Sequence, residues 1–213
     1  NGKRLTTHRG GYDAFSVDIT EALTPSGPQE LIVRVYDPTS HGNQPRGKQV
    51  DKPGGIYYTP STGIWQSVWL EPVPAARIDS LLLTPDVAGS CLRVTVKTAG
   101  GGSAKVEATA LDGDAEAGRV TGDAGAELRL PIAKQNLKLW SPHSPHLYDL
   151  KVRLLDAGKP VDEVTSYFGM RTIGLAKDPQ GFTRLRLNGE FLFQVGPLEQ
   201  GFWPDGLYTA PTD

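Results

Sequence analysis

Residues 54–73, GGIYYTPSTGIWQSVWLEPV, contain the stretch that decides the fold class. Between residues 64 and 73, bulky apolar side chains alternate with polar ones, and Trp65 and Trp69 fall on the same face of an extended chain. Turn-forming residues come before this run, and prolines, which cannot donate to a sheet ladder, limit its end. The pattern predicts a hydrophobic strand of a β-sandwich.

Similar patterns lie on both sides of this stretch. The predicted strands are Leu31–Tyr36, Ile78–Thr84, Leu92–Lys97, Lys105–Ala110, Glu127–Pro131, Tyr148–Leu155 and Val161–Tyr167. Turn sequences are predicted at 99–102, 112–114 and 156–159, and a polar loop at 37–53. Six or seven short strands over about ninety residues are typical of an immunoglobulin-like sandwich.

The end of the chain carries a hairpin signal. Residues 174–180 read as a linker, and Asn188-Gly189 could join strands at 183–187 and 191–195 through a two-residue turn. Turn formers and aromatics dominate residues 201–213. A short hinge at 74–76 separates the first predicted β region from the second.

Composition excludes several classes of function. The net charge of −2 offers no electrostatic reason to bind nucleic acid or an anionic membrane. No apolar run reaches the length of about eighteen residues that predicts a membrane-spanning helix. Cys91 is the single cysteine, so an internal disulfide and a cysteine-based metal site are excluded.

No cofactor or metal is expected. His143 and His146 are three residues apart, but Pro142 and Pro145 prevent the helix that would align them as ligands. The glycine run at 100–102 has no Lys-Ser/Thr pair behind it, as a phosphate-binding loop would require. A GxSxG nucleophile motif is also missing from the sequence.

Several motifs resemble one family, in the same order along the chain. They are NGKRLTTHRGGYDAFSVDIT (1–20), VYDPT (35–39), QPRGKQ (44–49), TGIWQSVWLEPV (62–73), LWSP with Pro145, Leu147 and Tyr148 (139–148), FGMR (168–171), LNG (187–189) and the run from 191 to 213. Together they resemble glycoside hydrolase family 2, which includes β-galactosidases, β-glucuronidases and β-mannosidases. The loop at 35–49 is similar to that of a bacterial branch.

This resemblance implies an all-β fold in three parts. Residues 1–74 would be the C-terminal part of a jelly-roll sugar-binding domain, and 75–174 an immunoglobulin-like β-sandwich. Residues 175–213 would open the catalytic (β/α)8 barrel. A jelly roll without its first strands would expose sheet edges, through which the chain could form a homo-oligomer.

The resemblance also implies a function. The parent protein would be a retaining β-glycosidase that hydrolyses O-glycosidic bonds in carbohydrates, and its two catalytic carboxylates would lie beyond Asp213. None of the carboxylates present stands in a catalytic context of the family, and those at 71, 107, 127 and 163 read as solvent-facing strand residues. The chain alone is therefore expected to be inactive, with no catalytic residue of its own.

Five residues are expected near the substrate in the whole enzyme. Tyr57 and Tyr58 precede the GIW-type strand, and Glu199, Gln200 and Trp203 would lie in the first loop at the C-terminal side of the barrel. Glu199 could equally brace this loop through backbone hydrogen bonds. Residues 195–200, VGPLEQ, differ from the Arg-Gly and Asn-Arg-His run of many members, which leaves the substrate open.

Two other functions fit parts of the sequence. A stand-alone carbohydrate-binding module could stack Tyr57, Tyr58 or Trp203 on sugar rings, and a structural or adhesive β-sandwich would need no site. The run from residue 191 argues against both, because an isolated module has no use for an opening barrel strand.

Overall fold

The computed structural model describes residues 1–100, 104–201, 203 and 206–212. Contacts between Cα atoms divide the chain into two compact units, Leu70–Pro197 and a second unit made of Asn1–Trp69 with Leu198–Asp213.

Seven antiparallel strands of the first unit form two sheets. Their bounds are β1 Arg77–Asp86, β2 Cys91–Ala99, β3 Lys105–Asp112, β4 Ala115–Asp123, β5 Glu127–Pro131, β6 Tyr148–Asp156 and β7 Lys159–Phe168. One sheet has the strand order β1-β2-β5 and the other β4-β3-β6-β7. Six of these strands confirm predicted ones: β5 has the predicted bounds, and the other five are longer by one or two residues at one or both ends.

The core lies between the two sheets and follows the period-two pattern of the strands. Alternate residues of β2, β3 and β6 are buried, among them Val94, Val106, Leu150 and Val152. Each such aliphatic side chain contributes about 1.5–3 kcal/mol when it leaves water. Because these residues recur at every second position, the hydrophobic effect sets both the sheet faces and the register.

Strand β4 was missed by the sequence analysis. Its sequence, AEAGRVTGD, is poor in the β-branched and aromatic residues that mark a strand. The structure shows why small residues stand there: a Cβ on Gly118 would lie 1.8 Å from the backbone oxygen of Pro131, and one on Gly122 would lie 2.4 Å from Leu128 Cδ2. At these two positions, the close approach of β4 to Leu128 and Pro131 of β5 decides the residue type, and local strand propensity does not.

Tyr148 begins β6 and is fully buried. Its hydroxyl donates to the backbone oxygen of Asn136 at 2.8 Å and accepts from the backbone nitrogen of Lys138 at 2.8 Å. Its ring stacks on Phe168, with centroids 5.2 Å apart. One side chain therefore fixes the loop before β6 to the core.

A third sheet follows the sandwich and corrects two predictions. Its strands are β8 Ile173–Lys177, β9 Thr183–Leu187 and β10 Glu190–Phe191, in the order β10-β9-β8. The predicted linker at 174–180 is wrong, because β8 occupies most of it and pairs with β9. The Asn188-Gly189 hairpin is confirmed, but its second strand starts at Glu190 and contains two residues rather than 191–195.

The turn of this hairpin has positive φ at both central residues, 52° at Asn188 and 83° at Gly189. These are the signs of a type I′ turn, for which Asn-Gly is the preferred pair. Local residue preference was therefore sufficient to predict the turn. The length of β10 depends on a partner strand, which the local sequence does not encode.

A junction, made of Trp140, Arg171, Thr172 and Asn188, connects the sandwich to the third sheet. The backbone nitrogen of Trp140 donates to the Met170 oxygen at 2.8 Å, and the Arg171 guanidinium lies 4.9 Å from the centre of the Trp140 ring. Gly169 lies beside them, and a Cβ there would approach Trp140 Cβ to 3.2 Å, so a larger residue would require Trp140 to shift by a few tenths of an ångström. The LWSP and FGMR motifs thus meet at one place.

The second unit differs from the predicted sandwich. Among its described residues the one regular element is the 3-10 helix Thr20–Ala22, and the expected strands at 31–36 and 64–73 are not formed there. Apolar side chains of both segments are exposed, such as Ile32 and Trp69. A ladder needs hydrogen bonds to a neighbouring strand, which an alternating pattern cannot supply by itself.

Helix content is very low, as predicted. The described residues contain the two 3-10 helices Thr20–Ala22 and Lys134–Asn136, and no α-helix. In the described part of the chain, no helix has the length and apolar character that crossing a membrane requires. Half of the predicted glycine turn at 99–102, residues 101 and 102, lies outside the described residues.

Candidate functional site

Two loop segments of the second unit pair to present Tyr57 and Tyr58. Tyr58 forms a parallel bridge with Gln49, and its backbone nitrogen donates to the Lys48 oxygen at 2.8 Å. The backbone nitrogen of Val50 in turn donates a hydrogen bond of 3.3 Å to the backbone oxygen of Tyr58. Tyr58 is half-buried as a result, whereas Tyr57 remains 47% exposed.

Polar side chains secure the same loops from within. Asp37 accepts from the backbone nitrogen of Thr39 at 2.8 Å and from the Thr62 hydroxyl at 3.2 Å. The amide oxygen of Gln49 accepts from the backbone nitrogen of Ser61 at 2.8 Å. Polar residues of the predicted loop at 37–53 therefore accept hydrogen bonds from backbone nitrogens, one in this loop and one in the neighbouring segment.

Three aromatic rings, from Tyr12, Trp65 and Tyr208, meet in the second unit. Trp65 lies 5.9 Å from Tyr12 and 5.6 Å from Tyr208 between ring centres, and its indole nitrogen donates to the Gly11 oxygen at 2.7 Å. Desolvation raises the pKa of Tyr12, and its hydrogen bond to Tyr208 raises it further. Trp65 was predicted to lie in a strand, and this cluster was not predicted, because its members are far apart in the chain.

Glu199, Gln200 and Trp203 lie together in the last part of the second unit. The Glu199 carboxylate accepts a hydrogen bond from the backbone nitrogen of Gly201, and Glu199 and Gln200 are both exposed. Glu199 therefore makes the bracing contact that was one of its two expected roles. Trp203 is 46% exposed and exchanges backbone hydrogen bonds with Leu207, at 2.8 and 3.1 Å. The neighbouring positions 202, 204 and 205 are outside the described residues.

The contacts of the described residues place the expected substrate-proximal residues in two sets of loops. Tyr57 and Tyr58 belong to the paired loops, and Glu199 is held within its own loop. Among the described residues, no hydrogen bond or ring contact joins Tyr57 to Glu199 or Gln200. The grouping of all five around one sugar stays a prediction.

A group of paired charges lies on one face of the four-stranded sheet. Glu107 lies 3.0 Å from an Arg119 nitrogen and 3.5 Å from an Arg153 nitrogen, and its side chain is 19% exposed. Glu107 is thus largely covered by arginines rather than solvent-facing. Glu163 bonds to Arg153 at 2.6 Å, and this hydrogen bond lowers the Glu163 pKa. A carboxyl with a lowered pKa is poorly suited to be a general acid.

His146 lies beside the Asp112–Lys138 ion pair and does not form a ligand pair with His143. Asp112 lies 2.7 Å from Lys138 Nζ and 3.4 Å from His146 Nε2, and the hydrogen bond from Lys138 lowers the pKa of this carboxyl. The His146 ring also packs edge-on against Tyr148, with centroids 4.7 Å apart. Among the described residues, no group of three or more His, Cys, Asp or Glu side chains could hold a metal ion.

These contacts define an antiparallel β-protein with a two-sheet sandwich, a junction and an attached three-stranded sheet. Comparison with known proteins shows which family this region resembles. Residues 76–171 match the family model of the glycosyl hydrolases family 2. The matched region begins just before β1 and ends at Arg171 of the junction. The resemblance noted in the sequence is therefore confirmed: the chain is related to glycoside hydrolase family 2.

Curated relatives align over most or all of the chain. A β-galactosidase of Thermoanaerobacter pseudethanolicus is 27% identical over 100% of this chain and 30% of its own length. A β-glucuronidase of Bacteroides fragilis is 28% identical over 90% of this chain and 29% of its own length. The chain thus spans about a third of the length of these two relatives.

Solved structures include similar chains as well. An apo structure of β-glucuronidase from Ruminococcus gnavus has a TM-score of 0.49 and 21% identity. The alignment covers 58% of this chain and 20% of that one.

Proposed function

We propose that the chain is a non-catalytic N-terminal part of a retaining β-glycosidase, which hydrolyses O-glycosidic bonds in carbohydrates. The observation that carries this proposal is the family match over 76–171, which coincides with the sandwich and its junction. The relatives described above are a β-galactosidase and a β-glucuronidase, which supports a β-glycoside as the substrate class.

Within this proposal, residues 75–174 are an immunoglobulin-like domain. Seven strands in two sheets support this assignment, as does Tyr148, whose hydroxyl bonds back to the loop before its strand. A tyrosine at this position is a hallmark of immunoglobulin-like sandwiches. Residues 1–74 would then belong to a jelly roll and 175–213 to the start of a barrel.

Retaining hydrolysis requires two carboxyl groups about 5 Å apart, one as nucleophile and one as acid and base. The part of the chain that the structure describes contains Glu107 and Glu163 on a single sheet face, but arginines neutralise both. Catalysis is therefore assigned to the parent protein beyond residue 213. The sandwich would hold the parts of the enzyme in place.

Five residues are proposed to lie near the sugar in the parent enzyme: Tyr57, Tyr58, Glu199, Gln200 and Trp203. The exposed ring of Tyr57 could stack on a pyranose, and Gln200 could bond to its hydroxyls. Glu199, which already binds the Gly201 backbone, would act by holding the loop.

Activity assays test this proposal. The longer protein encoded by the gene that contains this sequence is tested on aryl β-galactoside, β-glucuronide and β-mannoside, in parallel with the purified chain. We expect the parent to hydrolyse at least one substrate, with the β-anomer formed first in an NMR time course. The chain alone should be inactive on all three.

Two results would contradict the proposal. One is an α-anomer as the first product of the parent, because it would indicate inversion. The other is turnover by the purified chain that Glu199→Gln abolishes, because it would make Glu199 catalytic. The matched variant Glu30→Gln, at an exposed position of the second unit, controls for the loss of one charge.

The exposed aromatic side chains favour a second candidate, a stand-alone carbohydrate-binding module. Tyr57 is 47% exposed and Trp203 is 46% exposed, so each offers a ring surface to a sugar. Retardation of the chain in a polysaccharide gel that Tyr57→Ala or Trp203→Ala abolishes would favour this function. Unchanged mobility in a panel of polysaccharides would leave the glycosidase proposal as the better one.

A further inference from the structure

Asn188 and Gly189 form an Asn-Gly pair, the dipeptide in which asparagine is most prone to deamidate, because glycine leaves its backbone nitrogen unshielded. The Gly189 nitrogen attacks Asn188 Cγ, the Cγ–Nδ2 bond breaks, and Nδ2 leaves as ammonia with the Gly189 amide proton. Water then opens the resulting succinimide at either carbonyl and yields aspartate or isoaspartate. Water is the one co-reactant.

The fold holds both ends of the Asn188 side chain. Its Oδ1 accepts from the backbone nitrogen of Thr172 at 2.9 Å, and its Nδ2 donates to the Trp140 oxygen at 2.9 Å. The Asn188 backbone nitrogen donates to the Thr172 oxygen, also at 2.9 Å. Ring closure turns the amide plane toward the Gly189 nitrogen, so both side-chain bonds must break before the reaction can begin.

The product cannot restore these contacts. An aspartate is ionised at neutral pH and has acceptors only, so it places a negative oxygen against the Trp140 carbonyl, where Nδ2 donated before. Isoaspartate lengthens the backbone inside a two-residue turn whose φ angles are 52° and 83°. Either product therefore destabilises the contacts that join the sandwich to the β8–β10 sheet.

We propose that Asn188 is a guarded deamidation site, protected while the junction is closed, and that its conversion loosens the β8–β10 sheet from the sandwich. The proposal concerns a covalent modification and does not depend on the proposed function. It links the age of the protein, or a transient opening of the junction, to an irreversible change in the position of the hairpin.

The first part is tested by measuring the reaction rate. The chain is incubated in mildly alkaline buffer with and without urea, and deamidation is followed by peptide mapping and mass spectrometry. We expect Asn188 to react roughly tenfold more slowly in the folded chain, because two ordinary hydrogen bonds must break first. Asn136, which is exposed and precedes a leucine, serves as the slow internal reference. Equal rates at Asn188 in both conditions would overturn the guarding.

The second part is tested by hydrogen exchange on Asn188→Asp and its matched control Asn136→Asp, which has the same change in charge. We expect peptides from β8 and β9 to exchange faster in Asn188→Asp, with β2, β3 and β6 unchanged, and the control to match the natural sequence. Unchanged exchange in β8 and β9 would refute the loosening. The rate comparison needs no variant and stands even if Asn188→Asp folds poorly.

Discussion

At the scale of single residues, the Tyr148 hydroxyl connects the core to an irregular segment. It satisfies one backbone acceptor, on Asn136, and one backbone donor, on Lys138, while its ring is completely buried. Phenylalanine would fill the same space but leave both partners without this bond. A buried polar group that loses its partner costs more than a bond contributes on average.

We therefore expect Tyr148→Phe to lower the free energy of unfolding by about 1–3 kcal/mol. Urea denaturation followed by tryptophan fluorescence measures the change. Tyr167→Phe is the control, because Tyr167 is 65% exposed on β7, and its loss of a hydroxyl should change stability little. Equal effects of the two substitutions would show that the bonds of Tyr148 do not stabilise the fold.

At the scale of the elements, β4 shows that space can matter more than propensity. Gly118 pairs with Ala110 of β3, and it allows the backbone at Pro131 to pass close by. A β-branched residue would favour an isolated strand there, but the packing leaves no room for any Cβ. The strand therefore depends on glycine, which strand propensity disfavours.

Gly118→Ala is expected to destabilise the sandwich by roughly 1–3 kcal/mol, as overpacking of a core does. Thermal denaturation of the purified chain checks this. Gly174→Ala, in β8, is the matched control, because its added Cβ meets nothing within 4 Å. If Gly118→Ala proved as stable as Gly174→Ala, the close approach at Pro131 would not constrain β4.

At the scale of the whole molecule, burial is distributed unevenly along the chain. The buried cluster draws on strands β2, β3, β5 and β6, whereas residues 31–36 and 64–73 expose apolar side chains and lack ladder hydrogen bonds. Backbone amides exchange slowly where hydrogen bonds are buried and fast where they open locally. Protection should therefore follow the sandwich.

We expect hydrogen exchange, measured by mass spectrometry, to show strong protection in 77–168 and weak protection in 1–69. The oligomeric state is determined first by light scattering, since association would also protect exposed strands. Equal protection of 1–69 in a proven monomer would mean that the first segments form a complete core of their own. That result would contradict the unevenness described above.

The amino-acid sequence by itself determined the all-β class, six of the seven sandwich strands and the Asn188-Gly189 turn. Each of these depends on period-two burial or on local φ preference, which short stretches encode. The sequence also carried the family motifs and Glu199 with its two possible roles. These features needed no knowledge of distant contacts.

The tertiary structure alone decided the rest. The close approach of β4 to Pro131 explains why a glycine-containing segment forms a strand, and the pairing of β8 with β9 explains why the predicted linker is a strand. Trp140 and Asn188 are 48 residues apart, yet a single hydrogen bond joins them at the junction. Such features depend on groups that are distant in the chain and meet only after folding, so no local pattern of residues reveals them.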